Sequence, residues 1–398
     1  MKALVGSALA WIDRRFPLTE FLRKQLTDYL APRNLSYLWN SGSVAGMFLV
    51  VQTLTGLWLA LYYKPQEQLA FESVQHIVRD VNFGWLLRSL HAGGASCLFL
   101  AMYVHVGRAL YYGSYKAPRE LLWWIGFAIY LALMGEAFIG YLLPWGQMSY
   151  WSATVITNLF GVVPVVGPKL VVWLRGDFAI GDATLGRFYA FHIALFPVAV
   201  IGALVSLHLT ALRRVGSNHP HGTDLEKPGP HVIPFHPYYV LKDLWFGALV
   251  LAAFLAAVFY APSWFTEPAN SEPANPLQTP LHIVPEWYFL AFYAILRAVP
   301  HKLGGALAMA ASLLVHAFLP YLDRSPVRSA RYRPVKRVLT LLFFVDFAVL
   351  TYVGSLPPVG TALLVGRAAT VAYFLYFLAL PFLPRFEKTK PLPDGIKP

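Results

Sequence analysis

Charged residues are scarce: Asp, Glu, Lys and Arg make up 13% of the 398 residues, about half the share found in a water-soluble domain. That excludes a soluble globular fold for most of the chain. Cysteine is scarcer still. Cys97 stands alone, so no internal disulfide can form, and one thiol says nothing about redox compartment. Soluble repeats and low-complexity tracts are absent. The first 38 residues are basic and amphipathic rather than apolar, so no cleavable leader is expected.

What the chain has is apolar length. Hydrophobic residues reach 57% and aromatics 16%. Runs near 43–63, 88–111, 121–143, 188–212, 245–261, 303–320, 338–354 and 368–384 each have the length a helix needs to cross a bilayer. The expected fold is therefore an all-α polytopic membrane protein with eight transmembrane helices. Residues 8–30 carry apolar positions at helical spacing with cations between them, which predicts a helix lying on the membrane surface. Segments 144–183 and 262–302 are too long for simple turns and are expected to be structured loops on one side. Segments 213–243 and 321–337 fall on the other side.

Acids are outnumbered, and the net charge is +12. The side holding both termini collects 23 of the 32 Lys and Arg when span-end arginines are given to their nearer side. The positive-inside bias then predicts cytoplasmic termini. Because the charge follows loop side, nucleic acid is not an expected partner.

Four histidines lie inside spans two and four: His91 and His105, His192 and His208. Ionisable groups at membrane depth are costly and mark function by default. The 14 residues from His91 to His105 return to one side of a helix, about 21 Å apart in depth. Imidazole is the natural axial ligand of haem iron, and facing helices can supply one ligand each. Shared zinc is disfavoured by the separation in depth. Glycines repeat the interval: Gly42 and Gly56 in span one, Gly126 and Gly140 in span three. Glycine permits the close backbone approach that a flat macrocycle needs, although small-residue helix packing also uses it. His192 and His208 break the pattern, because 16 residues on a regular helix leave them about 160° apart. Pro197 and Gly202 between them are where bulges could restore one face. Arg88, Arg108 and Arg187 lie within five residues of a ligand candidate, placed either to meet haem propionates or simply to snorkel.

These residues resemble the cytochrome b family, the membrane subunit of quinol–cytochrome c reductases. The likeness rests on RSLHAGGAS, YVHVGRALYYGSY, GYLLPWGQMSYWSATVITNLFG, RFYAFH, GSNHP, PFHPYYVLKDL and TPLHIVPEWYFLAFYAILRAVPHKLGG. It runs over nearly residues 35–385 and all eight spans, which suits the full-length bacterial form in a cytoplasmic membrane. The division it suggests is a surface helix at 1–38, a di-haem four-helix bundle with its outer loop at 39–215, and a second membrane module with the PEWY loop at 216–398.

The resemblance implies two non-covalent b haems, the low-potential one on His91 and His192 and the high-potential one on His105 and His208. It implies quinol oxidation at an outer pocket built from Tyr141, Pro144, Trp145, Gly146, Pro285, Glu286, Trp287, Tyr288 and Tyr293. Glu286 would take a proton there. One electron would leave to an iron–sulfur partner. The other would cross through the haems to reduce quinone near the cytoplasm, building a proton gradient. Asp243, Lys242, Ser217 and Ser43 match that second site. Arg213 stands where the family often has histidine, and arginine cannot donate a proton at working pH. Ser152 stands where the family usually has glycine, so crowding of the outer pocket and weaker binding of methoxyacrylate-type inhibitors are expected. No cysteine lies near Ser43 for an extra covalent haem, and Glu136 has no implied role. Implied partners are a Rieske-type iron–sulfur protein, a c-type cytochrome, quinone, membrane lipid and a second copy of the chain. The competing readings are a haem-b membrane anchor of a dehydrogenase or hydrogenase, and a transporter relaying protons through histidines. The first needs no PEWY loop, and the second leaves the glycine intervals unexplained.

Overall fold

The computed structural model describes residues 2–223 and 229–392. Loop residues 224–228 and the chain ends therefore lie outside the described residues. The amphipathic start is two helices rather than one, α1 (Lys2–Asp13) and α2 (Leu18–Leu26), parted at Pro17. Proline has no N–H to continue a helix ladder, so the break falls there. No residue of α2 is buried, as suits a helix lying on a surface. Strand β1 (Leu30–Pro32) follows and pairs antiparallel with β2 (Val232–Pro234).

Eight helices among the described residues are long and apolar enough to cross a bilayer, matching the eight runs read from sequence. The first is α3 (Ser41–Ala60), entered through the turn Tyr37–Asn40. After α4 (Ala70–Arg79) come the second and third crossings, α5 (Gly84–Tyr112) and α6 (Glu120–Leu142). Gly113 closes α5 at φ 65°, with its N–H on the Ala109 carbonyl. A Cβ there would meet the Arg328 carbonyl oxygen at 2.3 Å, so both conformation and space require glycine. Helices α7 (Gln147–Phe160) and α8 (Gly167–Arg175) form the structured loop expected over 144–183.

The fourth crossing joins α9 (Asp182–Ala190), a π-helix over Phe191–Gly202, and α10 (Ala203–Val215). Pro197 lies inside the π segment. A π-helix bonds i to i+5 and so turns less per residue. Ten steps at about 80° and six at about 100° bring His208 round to the side of His192 after about four turns.

The later crossings are α11 (Tyr238–Tyr260), α13 (Lys302–Leu314) extended through α14 (Leu319–Leu322), α15 (Pro334–Gly354) and α16 (Gly360–Ala379). Short α12 (Leu290–Ala298) dips in before α13, and α17 (Leu383–Phe386) ends the described helices. Helix α3 packs along α5, and α6 packs along the fourth crossing. The central core holds Phe48, Phe99, Leu133, Val258 and Phe292. A second core joins α12, α15 and α16 around Ile295, Leu350 and Tyr373.

The face carrying both chain ends, here the terminal face, is tied by buried ions. Asp323 pairs with Arg333 at 2.7 Å, Lys336 at 2.8 Å and Lys116 at 3.2 Å. Burial alone would raise the Asp323 carboxyl, but the attraction of Lys336, Lys116 and Arg333 prevails and holds it below the usual carboxylate range. Glu387 completes the set at 2.8 Å from Arg333. Loop α5–α6, the basic stretch 321–337 and the C-terminal segment are thereby locked together.

Candidate functional site

The four membrane histidines meet in two pairs. His91 and His192 have ring centroids 6.1 Å apart, and His105 and His208 are 6.5 Å apart. A metal–imidazole bond is about 2 Å, so two rings on opposite sides of one iron need centroids about 6 Å apart. Both pairs have that spacing. Each ring rests against one glycine of the repeated interval. A Cβ would come within 3.0 Å of His105 at Gly42, of His91 at Gly56 and of His208 at Gly126, and within 2.4 Å of His192 at Gly140. The room that glycine leaves is thus taken first by an imidazole ring.

The far nitrogens are anchored differently. Thr55 Oγ1 lies 2.9 Å from His91 Nδ1 and itself donates to the Val51 carbonyl, so it accepts the Nδ1 proton. Ser41 Oγ stands 3.4 Å from His105 Nδ1 and donates to the Leu38 carbonyl. His208 lies by the Leu122 backbone, and its Nδ1 is buried without a hydrogen-bond partner among the described residues. His192 Nδ1 faces Glu136 Oε1 at 3.0 Å. Nδ1 anchoring leaves Nε2 free to bind metal. Ser41 and Thr55 immediately precede Gly42 and Gly56, so the 14-residue interval also carried these hydroxyls. That signal was available in the sequence.

A cavity of about 1070 Å³ opens beside His105 and His208 and runs on to the terminal face. Asp243, Ser43, Ser217 and Arg213 line it, as do Asn40 and Tyr29, which sequence reasoning missed. Asn40 Nδ2 donates to Asp243 at 2.5 Å. Tyr29 hydroxyl lies 3.2 Å from Ser217 Oγ, and the Arg213 guanidinium rests 4.1 Å over the Tyr29 ring. Lys242 turns away: its Nζ bonds the Leu35 carbonyl at 2.5 Å and rides over the Tyr37 ring. One residue along a helix is about 100° of rotation, so Lys242 and Asp243 cannot both face the cavity. Arg108 lines the same cavity and donates to Ser114 Oγ at 3.2 Å. Its Nε is buried without a hydrogen-bond partner among the described residues.

At the far face, Glu286 follows Pro285 and precedes the turn Trp287–Phe289 that leads into α12. Tyr288 stacks on Phe99 with centroids 4.0 Å apart, Trp287 Nε1 donates to Ser96 Oγ at 3.1 Å, and the Tyr103 hydroxyl donates to the Tyr288 carbonyl. Tyr141 accepts from Asn270 at 3.0 Å, and Tyr293 donates to the Ile283 carbonyl at 3.1 Å. Trp145 sits at φ 53°, an uncommon conformation for a bulky residue, in the turn that leads to Gly146. Gly146 bridges to Pro273, which docks the α6–α7 turn against the PEWY loop. Ser152 is buried against that loop, with Oγ 3.4 Å from the Val284 carbonyl. Burial pushes the Glu286 carboxyl up to about 7, nearby Glu267 adds to the rise, and Arg88 opposes it. Arg187 is not drawn in with Arg88. It bonds the Trp173 carbonyl at 2.6 Å and packs on Gly176 of the surface helical loop.

No described cluster of three or more His, Cys, Asp or Glu could hold a bare metal ion. Paired imidazoles, glycine gaps and a buried guanidinium with an unpartnered Nε fit a planar macrocycle that brings its own equatorial ligands and anionic arms. The molecule is thus of the class of polytopic helical membrane proteins with paired histidine sites at two levels of one bundle.

Comparison with known proteins narrows the class. The family described as Cytochrome b/b6/petB matches residues 26–216, and Cytochrome b(C-terminal)/b6/petD matches residues 273–374. Cytochrome b of Rickettsia bellii is 52% identical over 98% of this chain and 97% of its own. The cytochrome b/c1 of Bradyrhizobium diazoefficiens is 46% identical over 98% of this chain and 56% of its own. A solved structure described as hyperthermophilic respiratory Complex III superposes with a TM-score of 0.89 at 38% identity, over 94% of this chain and 98% of that one. This chain belongs to the cytochrome b family.

Proposed function

We propose that this chain is the cytochrome b subunit of a bacterial quinol–cytochrome c oxidoreductase. It binds two b haems, one on His91 and His192 and the other on His105 and His208. The observation that carries the reading is two histidine pairs of iron-bridging spacing at two levels of one bundle, the near pair opening on a cavity that reaches the terminal face. When bound, the haems supply one-electron carriers at two depths of the membrane.

Quinol binds at the far face against Tyr141, Tyr288 and Tyr293. Oxidation of one quinol to quinone releases two electrons and two protons. Glu286, with its carboxyl near 7, accepts one proton and passes it to water, and the other leaves to water at the same face. Arg88, in electrostatic contact with Glu286 and Tyr141, steadies the carboxylate once it has formed. One electron leaves to a Rieske-type iron–sulfur protein and onward to a c-type cytochrome. The other crosses to the terminal face, where quinone binds beside Asp243. After two such oxidations have delivered two electrons, the bound quinone takes up two protons, one from Asp243, which Asn40 holds, and one from water, and Asp243 is refilled through water. Arg213 is fixed over Tyr29 and contributes charge, not protons. Arg108, its Nε buried without a hydrogen-bond partner among the described residues, would hold a propionate of a haem on His105 and His208.

The terminal face is cytoplasmic, the protein lies in the cytoplasmic membrane, and the chain works as a homodimer surrounded by lipid. Its first four crossings form the di-haem module and the rest form the second. A stepwise redox titration of the purified protein, with haem quantified per chain, tests the reading. Two b haems at separate potentials are expected, and none or one would sink it.

A further inference from the structure

Glu136 lies in the middle of α6, four residues before Gly140, and is largely enclosed. Its Oε1 is 3.0 Å from His192 Nδ1. The contact is within reach but not aligned as a full hydrogen bond. Nδ1 and the second carboxylate oxygen, Oε2, are both buried without another hydrogen-bond partner among the described residues. Rotation of the ring about its Cβ–Cγ bond would align them. The equivalent position before Gly126 is Leu122, an apolar residue, and His208 Nδ1 is buried without a hydrogen-bond partner among the described residues. The other two anchors are the hydroxyls of Thr55 and Ser41. A carboxylate therefore stands behind one of the four histidines, hydroxyls behind two, and neither behind His208.

We propose that Glu136 is a positioning residue for His192: it accepts the Nδ1–H, fixes the tautomer that turns Nε2 to the iron, and lowers the reduction potential of that haem. A carboxylate behind a metal-bound imidazole raises the basicity of the ligand, which favours the more highly charged metal. The low-dielectric setting strengthens the effect. Glu136 thereby widens the potential gap between the two haems in the direction that drives electrons from the far face to the terminal face. The inference rests on His192 being a haem ligand, as proposed above.

The test is redox titration and low-temperature paramagnetic resonance of the full-length protein in its native membranes, comparing wild type with Glu136→Gln and Glu136→Asp. In Glu136→Gln, the reduction equilibrium of the haem on His91 and His192 is expected to shift about tenfold towards ferrous, which is about 59 mV for one electron. Its low-spin resonance should move, and the haem on His105 and His208 should do neither. Glu136→Asp should return the potential part of the way. An unchanged potential in Glu136→Gln, with two haems present, overturns the role of Glu136 and leaves the two-haem reading standing. Loss of that haem in both variants, with no shifted signal in either, makes Glu136 purely structural and also overturns it. A wild type without two haems overturns both readings together.

Discussion

The two histidine pairs are near copies in geometry and differ in what surrounds them. Ring spacing is 6.1 Å in the far pair and 6.5 Å in the near pair, and each ring has its glycine. The near pair opens on a cavity of about 1070 Å³ that continues to Asp243 and the terminal face. The far pair has a carboxylate, Glu136, in its wall, and the PEWY turn packs on α5 between the two levels, with Tyr288 on Phe99. Equal spacing with unequal surroundings is how one bundle can hold two copies of a redox group at different potentials. Ligation is set by backbone approach, and potential is set by the charges and hydrogen bonds around it.

The sharpest way to break the comparison is to remove one ligand at a time. His105→Leu should abolish one b haem completely and keep the other, and His91→Leu should do the reverse. Haem per chain and the titration curve decide this, and loss of both haems from either change would show that the sites are not separable. The next effect is on stability. Asp323→Ala leaves Arg333, Lys336 and Lys116 without their shared carboxylate in a buried site, where breaking a buried pair costs about 3–5 kcal/mol. Thermal unfolding in detergent should show the terminal face loosening first, read by proteolysis of segment 321–337.

Smaller effects separate the two faces. Glu286→Gln should lower quinol oxidation by about a hundredfold, the low end of general-base contributions because water can share the duty. With the carboxyl near 7, wild-type turnover should rise as pH rises through that value, since only the deprotonated form accepts a proton. The variant should lose that slope in a steady-state pH profile. Ser152→Gly should tighten a methoxyacrylate-type inhibitor by about tenfold, because relief of overpacking is worth about 1–3 kcal/mol. Sensitivity already equal to that of the glycine form would discard the crowding argument. Least affected should be Lys242→Ala. Its Nζ faces the Leu35 carbonyl and not the cavity, so quinone reduction should change by no more than about twofold, as for a substitution away from the site.

Much of this was legible in the chain. The crossings follow from apolar length against bilayer thickness, and the 14-residue intervals marked the layers of the bundle. The intervals also held Ser41 and Thr55, which went unread because hydroxyls in helices usually bond their own backbone. The 16 residues from His192 to His208 looked like a fault and became a π-helix around Pro197. Nearness in sequence misled at Arg187 and Lys242. Each stands close to a site residue, yet each finds a carbonyl elsewhere, at Trp173 and Leu35. The Asp323 cluster joins residues from 116 to 387, a span no local pattern reveals.

The sequence by itself determined the number of crossings, the membrane setting, the four histidines and the glycines that let helices close on them. Those depend on composition and on period along one helix, which local covalent geometry enforces. Only the tertiary structure decided which glycine meets which ring, that Glu136 stands behind His192, that Lys242 leaves the cavity while Asp243 enters it, and that one buried acid gathers three cations. Those depend on the rotation of one helix against another. That rotation is fixed by the summed packing of many side chains and is written in no single stretch of residues.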